Sequence, residues 1–339
     1  MIATRVPRLG FAVKVLGDGG IPSHDTRRHA SDPHLSVSLD HLERVFGYLE
    51  RTGIRMYRMS SNLAPYETHP DLPRFHGQVE RCAARLAELG ERARAMDLRL
   101  STHPGQYTVL NSESPGVAAQ AAAEVGWHAR LLDAMGLGPE AVVVVHGGSG
   151  APDPAAALDR FARAVEGLPD AVRRRLVLEN DDRVFSLGMV EPVARRVGIP
   201  VVWDVHHHHC HDPDGIPDAE ALGLAVATWP EGMRPKVHFS SPRTAAEEVT
   251  RKEGRRVVRS LRLPSPRSHA DLVDPFDFRR FLDEVVAGRE VDVMLEAKAK
   301  DLALLRLREQ LADVAPALTP PTMGRPRRRR AGRTRCAGA

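Results

Sequence analysis

Cysteine is scarce in this chain. Cys82, Cys210 and Cys336 are the only three among 339 residues, odd in number and far apart. That spacing argues against a disulfide framework and fits reduced thiols in a cytoplasmic setting. No apolar run approaches the roughly eighteen residues of a spanning helix, so no membrane segment is expected. Met1–Gly10 holds arginines but no apolar stretch of signal-peptide length. A glycine-rich phosphate loop is missing after the first apolar run. His146-Gly-Gly-Ser-Gly comes much later and lacks the dinucleotide spacing, which argues against an open nucleotide-binding sheet. No internal repeat is found beyond an alternation of short apolar runs with helix-like stretches.

What is present is an apolar content of 42%, enough for a large core. The formal net charge of +4 is unevenly placed. Residues 325–335 carry seven arginines and no acid, so the remainder of the chain stands near −3. A basic surface on the body must therefore be a local patch. Such a patch is offered by Ser240–Ser268, with Arg243, Arg251, Lys252, Arg255, Arg256, Arg259, Arg262 and Arg267.

The apolar runs themselves share a property. Arg99–Thr102 leads to His103, Ala141–Val145 to His146, Leu176–Leu178 to Glu179, and Val201–Trp203 to Asp204 and His207. Lys236–Val237 leads to His238, and Asp292–Leu295 to Glu296. Arg55–Met59 is a looser case, with His69 ten residues on. With Leu9–Val13 at the start, these runs make eight strand–helix pairs. Short strands rich in Val, Ile and Leu, buried on both faces, are what a closed parallel sheet requires. The expectation is a single-domain (β/α)8 TIM barrel over 1–315, followed by a disordered Arg-rich tail over 316–339. In such barrels the strands' C-terminal ends carry the active site. Helices are expected near Leu39–Arg51, Gln78–Met96, Val117–Met135, Asp153–Glu166, Leu187–Val197, Asp218–Ala227, Phe276–Val286 and Asp301–Glu309. Gly17–Ser38 and Ser240–Ser268 are read as polar loops.

Imidazole binds Zn, Mn and Fe, and carboxylates bridge hard divalent ions. His69, His103, His146, Glu179, Asp204, His207, His238 and Glu296 are too many donors for one ion and suit two or three. Clustered metals are a standard means of phosphoester hydrolysis. A sugar isomerase on this fold would draw mainly on carboxylates. Lone histidines such as His41, His76 and His128 are read as surface or core, and of the run His206–His209 one or two are read as ligands.

Several segments go further: Asn62-Leu-Ala-Pro-Tyr-Glu-Thr-His-Pro, Ser101-Thr-His-Pro-Gly-Gln-Tyr-Thr, Val143-Val-Val-His-Gly-Gly and Leu178-Glu-Asn-Asp-Asp. Trp203-Asp-Val-His-His, Pro235-Lys-Val-His-Phe-Ser-Ser, Ser268-His-Ala-Asp and Asp292-Val-Met-Leu-Glu-Ala-Lys-Ala-Lys follow. In their order the chain resembles the UV damage endonuclease family (UvdE/UvsE type) over about residues 8–305. The resemblance implies a TIM-barrel nuclease with two or three divalent ions, commonly manganese, and no organic cofactor. Its substrate would be damaged double-stranded DNA, in the cytoplasm with the nucleoid. It would nick immediately 5′ to cyclobutane dimers, 6-4 photoproducts and some other lesions.

Carried over by position, the metal ligands are His69, His103, His146, Glu179, Asp204, His207, His238, His269 and Glu296, of which His269 comes from the resemblance alone. Glu179 and Glu296, with Lys236, form the implied catalytic set, and Gln106 and Tyr107 take the positions that probe the damaged duplex. Lys236 lies two residues before His238, so both face the barrel interior. An ammonium beside metal ions would be repelled, so Lys236 either contacts the scissile phosphate or is carboxylated into an anionic ligand. The chain departs from the family where a tyrosine at the mouth of the first strand is replaced by Phe11. The basic stretch and the tail also lie outside the family's common core. The rival readings are an endonuclease IV-like abasic-site enzyme, a xylose-isomerase-like sugar isomerase and a non-catalytic metal- or DNA-binding protein.

Overall fold

The computed structural model describes residues 8–254 and 256–312. The arginine tail, Cys336 and the expected boundary at 315/316 lie outside the described residues. Seven strands run in succession: β1 (Leu9–Ala12), β2 (Met56–Arg58), β3 (Arg99–Thr102), β4 (Val142–His146), β5 (Leu176–Glu179), β6 (Val201–Asp204) and β7 (Lys236–Phe239). An insertion holds β8 (Glu247–Glu253) and β9 (Arg256–Arg262), and β10 (Asp292–Leu295) completes the wall. β10 sits between β7 and β1, which closes an eight-stranded parallel barrel, the expected TIM-barrel architecture.

The closure follows from strands dry on both faces. Outward-facing Val143, Val145, Leu176, Leu178 and Trp203 pack with the helices in the main core. Inward-facing Val142, Val144, Val177 and Val202 form a separate cluster inside the barrel with Trp229. This alternation with period two is the strand geometry itself. The surrounding helices use period 3.6. The helix Leu35–Thr52 buries Leu35, Leu39, Leu42, Phe46 and Leu49, and stops at Gly53, whose φ of 63° is the left-handed cap that glycine supplies cheaply.

The floor of the barrel is sealed by charge. Asp292, fully buried, accepts hydrogen bonds from Arg8 N at 2.9 Å, from Arg8 Nη1 at 3.1 Å and from Arg99 Nη1 at 2.8 Å. The Arg99 guanidinium also lies 5.5 Å from the Trp229 ring centroid. Losing either partner would strand a buried charge. This end is therefore structural, and the other is left for chemistry.

The structure differs locally from the expected elements. The helix expected over Gln78–Met96 is two, Gln78–Arg81 and Ala83–Ala95, with Cys82 at the break. The helix near Phe276–Val286 begins as Pro275–Arg280 and continues with π-helical winding over Phe281–Val286. Ser240–Ser268, read as a loop, contains the antiparallel hairpin β8–β9. Among the described residues no helix is long and apolar enough to cross a membrane.

Candidate metal centre

Strand register assembles the centre. Parallel pairing sets His146 of β4 opposite Glu179 of β5, and Asp204 of β6 opposite His238 of β7. Glu296 follows β10 directly, its N–H donating to the Phe239 carbonyl at 2.9 Å. His103 follows β3 directly. These donors fall into two groups, each with its ligand atoms within 4.8 Å of one another: His103, His146 and Glu179, and Glu179, Asp204, His238 and Glu296. Glu179 belongs to both. Its Oε2 lies 3.1 Å from His103 Nε2 and 3.7 Å from His146 Nε2. Its Oε1 lies 2.7 Å from His238 Nδ1 and 3.7 Å from His207 Nδ1. A carboxylate with each oxygen serving a different set of imidazoles has the form of a bridge between two ions.

Neighbouring groups fix the orientation of these side chains. The Pro104 carbonyl accepts from His103 Nδ1 at 3.1 Å, which leaves Nε2 as a lone pair toward Glu179. The Asn180 carbonyl accepts from His207 Nδ1 at 3.0 Å. Ser240 Oγ holds His269 Nδ1 at 2.6 Å. Such hydrogen bonds set the tautomer of a metal-binding imidazole. The Asn180 side chain clamps Asp204 by its backbone, with Nδ2 donating to the Asp204 carbonyl at 3.0 Å and Oδ1 accepting its N–H at 2.8 Å. Asp204 Oδ1 in turn accepts from His207 N at 2.8 Å and caps the short helix Val205–Cys210.

Asp204 Oδ2, His146 Nδ1 and His238 Nε2 are buried without a hydrogen-bond partner among the described residues. Leaving buried polar atoms unpaired is costly. A divalent cation at Asp204 Oδ2 removes that cost, and the mixed imidazole–carboxylate donor set suits Mn, Zn or Fe. The residues thus fit a metal-dependent enzyme.

The electrostatics of the metal-free groups agree with this. Burial opposes the charge on Glu179, but His238, His146 and His103 hold its carboxyl well below the usual range. Burial opposes Glu296 too, and Arg58 and His238 hold it down. Burial pushes His103 to about 4 against the pull of Glu179, so its imidazole is neutral at pH 7, as a ligand must be. For His207 burial loses to Asp204, Glu179 and Glu296, which raise it to about 9, so without an ion it carries a proton that a bound cation would displace. Lys236 is fully buried and donates to Ser101 Oγ at 3.0 Å. Burial, followed by Arg58 and Arg99, holds its ammonium form well below the usual range.

Not every expected residue joins these groups. His69 lies exposed on the loop after β2, its ring centroid 6.0 Å from that of Tyr66, outside both groups. His269 is half-buried at the rim, 5.1 Å from the ring of His206 and 5.8 Å from that of His207. Within His206–His209, His207 is the ring beside Glu179. His208 Nε2 bonds the Ile216 carbonyl at 2.9 Å, and His209 Nε2 pairs with Asp218 at 2.9 Å. Phe11 is buried edge-on to Tyr57, centroids 5.4 Å apart.

Gln106 and Tyr107 stand exposed on the loop after β3, Tyr107 at 85%. Asn111 ties this loop to the one after β4, with Nδ2 donating to Ser149 O at 2.7 Å and Oδ1 accepting Ser149 N at 3.0 Å. The approach needs glycine at position 148, where φ is +86° and a Cβ would stand 2.2 Å from Asn111 Oδ1. A cavity of about 330 Å³ opens beside it, lined by His103, Gln106, His146, Asp181, Arg183 and His207.

Two residues were not singled out from the sequence. Arg58, ending β2 where a ligand was sought, contacts Glu296 through Nη1. Its signal was its position, since six other strand ends were read as carrying a metal donor. Asn180 directly follows Glu179, but its pairing with Asp204 comes from a neighbouring strand.

Comparison with known proteins places this geometry. The family model described as UV-endonuclease UvdE matches residues 23–317. A UV DNA damage endonuclease of Bacillus velezensis is 34% identical over 294 residues, covering 85% of this chain and 86% of that protein. The Bacillus pumilus UV DNA damage endonuclease is 34% identical over 263 residues, covering 77% and 76%. The crystal structure of SacUVDE aligns with a TM-score of 0.76 at 30% identity, over 90% of this chain and 98% of that one. The structure of L-ribulose 3-epimerase aligns with a TM-score of 0.52 at 14% identity, covering 86% and 81%, which is a likeness of fold alone. The sugar-isomerase reading thus keeps the barrel and loses the chemistry, and the chain belongs to the UvdE family of UV DNA damage endonucleases, enzymes that cut DNA.

Proposed function

We propose that this chain hydrolyses the phosphodiester immediately 5′ to UV photoproducts, cyclobutane dimers and 6-4 products, in double-stranded DNA, and so starts excision repair in the cytoplasm. The observation that carries the reading is Glu179 shared between two donor groups, with an unpaired Asp204 Oδ2 among them. One group, His103, His146 and Glu179, would hold one ion. Asp204, His238 and Glu296 would share Glu179 with a second, and His207, His269 and the outlying His69 are the remaining donors. Two or three manganese ions there would supply an activated water and neutralise charge developing on the phosphate.

The chain's own groups do the rest. Glu179 and Glu296 are kept ionised by their histidine and arginine neighbours, so they bind cations at neutral pH. Arg58 holds the Glu296 carboxylate in place from the strand end. Lys236, dry beneath His238 and disfavoured as an ammonium, better suits the carboxylated, anionic form than a direct phosphate contact. Gln106 and Tyr107, exposed on a loop braced by Asn111, would enter a stack that a lesion has loosened.

The test is a nicking assay on duplexes bearing one dimer, one 6-4 product or one abasic site, with Mn²⁺ and with a chelator. The expected result is metal-dependent cutting directly 5′ to both photoproducts. Cutting of the abasic duplex alone would instead support the endonuclease IV-like reading.

A further inference from the structure

The hairpin β8–β9 takes no part in the metal centre, yet it leaves the barrel beside it. It rises from the end of β7, and its root is closed by a bridge between Pro242 and His269. Arg243 N donates to the Ser268 carbonyl at 2.7 Å, and Arg267 Nε to the Asp182 carbonyl at 2.8 Å on the loop after β5. From that fixed root the two strands pair in continuous antiparallel register, Glu247 opposite Arg262 through Glu253 opposite Arg256. Every described residue of β9 is exposed, with Val257 at 59% and Leu261 at 71%. A two-stranded ribbon wet on both faces is marginal alone. It gains order from whatever it docks on.

Charge identifies the occupant. Positions 241–268 hold eight cations against three glutamates. Two of the three acids are used near the root, and the third, Glu253, stands opposite Arg256 near the tip. Glu247 pairs with Arg243 and Arg262, and Glu248 with Arg259 at 3.4 Å. Toward the tip, Arg251, Lys252 and Arg256 have no ion-pair partner among the described residues. Directly opposed residues share a face, so Arg251 and Arg256 lie on one face and Lys252 and Arg259 on the other. A ribbon basic on both faces matches a groove with phosphates on both walls, and the major groove of B-DNA admits a two-stranded ribbon. Six steps of about 3.4 Å give an arm of roughly 20 Å, the rise of about six base pairs.

We propose that the hairpin Glu247–Arg262 is a second DNA contact, a ribbon laid in the major groove of intact duplex flanking the lesion, whose tip cations hold backbone phosphates about six base pairs from its root. The proposal rests on the DNA-cutting reading above and adds a surface for undamaged duplex. It reads no sequence, because phosphate contacts carry none.

The experiment compares the full chain with its Arg251→Ala, Lys252→Ala, Arg256→Ala variant in binding to single-dimer duplexes over a salt series. One duplex carries about fifteen base pairs on each side of the lesion and the other about four, shorter than the arm's reach. On the long duplex, three lost contacts should make the slope of log affinity against log salt shallower by roughly 2.7. Between about 50 and 200 mM salt the unaltered chain should then lose about 40-fold more affinity than the variant. On the short duplex the two should coincide. The charge-keeping variant Arg251→Lys, Arg256→Lys should hold the slope of the unaltered chain, and single-turnover cutting by the alanine variant at saturating protein should be unchanged. An unchanged slope on the long duplex overturns the proposal, as does an equal loss on both duplexes, which would put these cations at the lesion. Absence of cutting by the unaltered chain would count against the endonuclease reading, while the binding series would still decide the arm.

Discussion

Asn180 is the sharpest test of how the centre is held. Its side chain is fully buried and pairs both backbone groups of Asp204. Asn180→Ala removes both partners at once; the Asp204 carbonyl keeps the first bond of the helix Val205–Cys210, and the Asp204 N–H is left unpaired in a dry site. The unpaired N–H costs about 1–3 kcal/mol and the other lost bond about 0.5–1.5 kcal/mol, so the expected loss is about 2–4 kcal/mol. A domain of ordinary stability, about 5–15 kcal/mol, survives this as a folded protein. In a chain of this size the melting temperature should fall by about 3–6 °C. The Asn180 carbonyl still accepts from His207, because that bond is made by backbone. The damage is therefore directed at Asp204, whose carboxylate loses its fixed aim. Manganese affinity should drop about 10–100-fold, the usual cost of losing an orienting partner. Saturating manganese should recover a large part of the nicking rate. The assays are thermal unfolding with and without Mn²⁺, a manganese titration and single-turnover nicking. Manganese affinity equal to that of the unaltered chain, in a variant whose melting point has fallen, would show that Asp204 is no ligand. A melting point within about 2 °C would refute the hydrogen-bond argument itself.

Glu179→Ala or Glu296→Ala should reduce nicking by orders of magnitude with the fold intact, and near-normal turnover by a well-folded variant would remove that residue from the centre. Gln106→Ala with Tyr107→Ala should weaken discrimination between damaged and intact duplex more than it changes metal content; unaltered selectivity would end the probing assignment. Asp25 tests electrostatics away from the site. Arg27, joined by the His34 and Arg27 backbone N–H groups, holds its carboxyl near a pKa of about 2 despite burial. A lowered folded value means the stabilisation is present above the unfolded value near 4 and is lost as pH falls from there toward 2. Because Arg27 is half exposed, the contribution is about 1–2 kcal/mol. Asp25→Asn should thus melt lower than the unaltered chain at pH 7, with the gap closing below pH 4. A gap that is constant with pH contradicts the assignment.

The barrel was legible because its strands have little choice. A segment such as Leu176–Glu179, dry on both faces, admits few residues other than Val, Leu and Ile, so the run and its polar end stand out. The same constraint explains why Arg99–Thr102 was read to the residue. Where a role depends on a neighbour far along the chain, spacing is silent. Nothing local to Asn180 says that Asp204 will lie beside it, and nothing local to Arg58 says that Glu296 will. Those partnerships arise from the register between strands, which is fixed only once the wall closes. The histidine run is a different case. Four adjacent imidazoles on one helical turn must point in different directions, so a ligand signal spread over four residues resolves onto His207 beside Glu179. The hairpin was missed for the opposite reason to the strands that were found. With both faces in water it needs no apolar period, and its Arg–Val–Val–Arg pattern reads as a charged loop. A strand that buries nothing against its own barrel is invisible to hydrophobic patterning, and its charges then indicate what it meets.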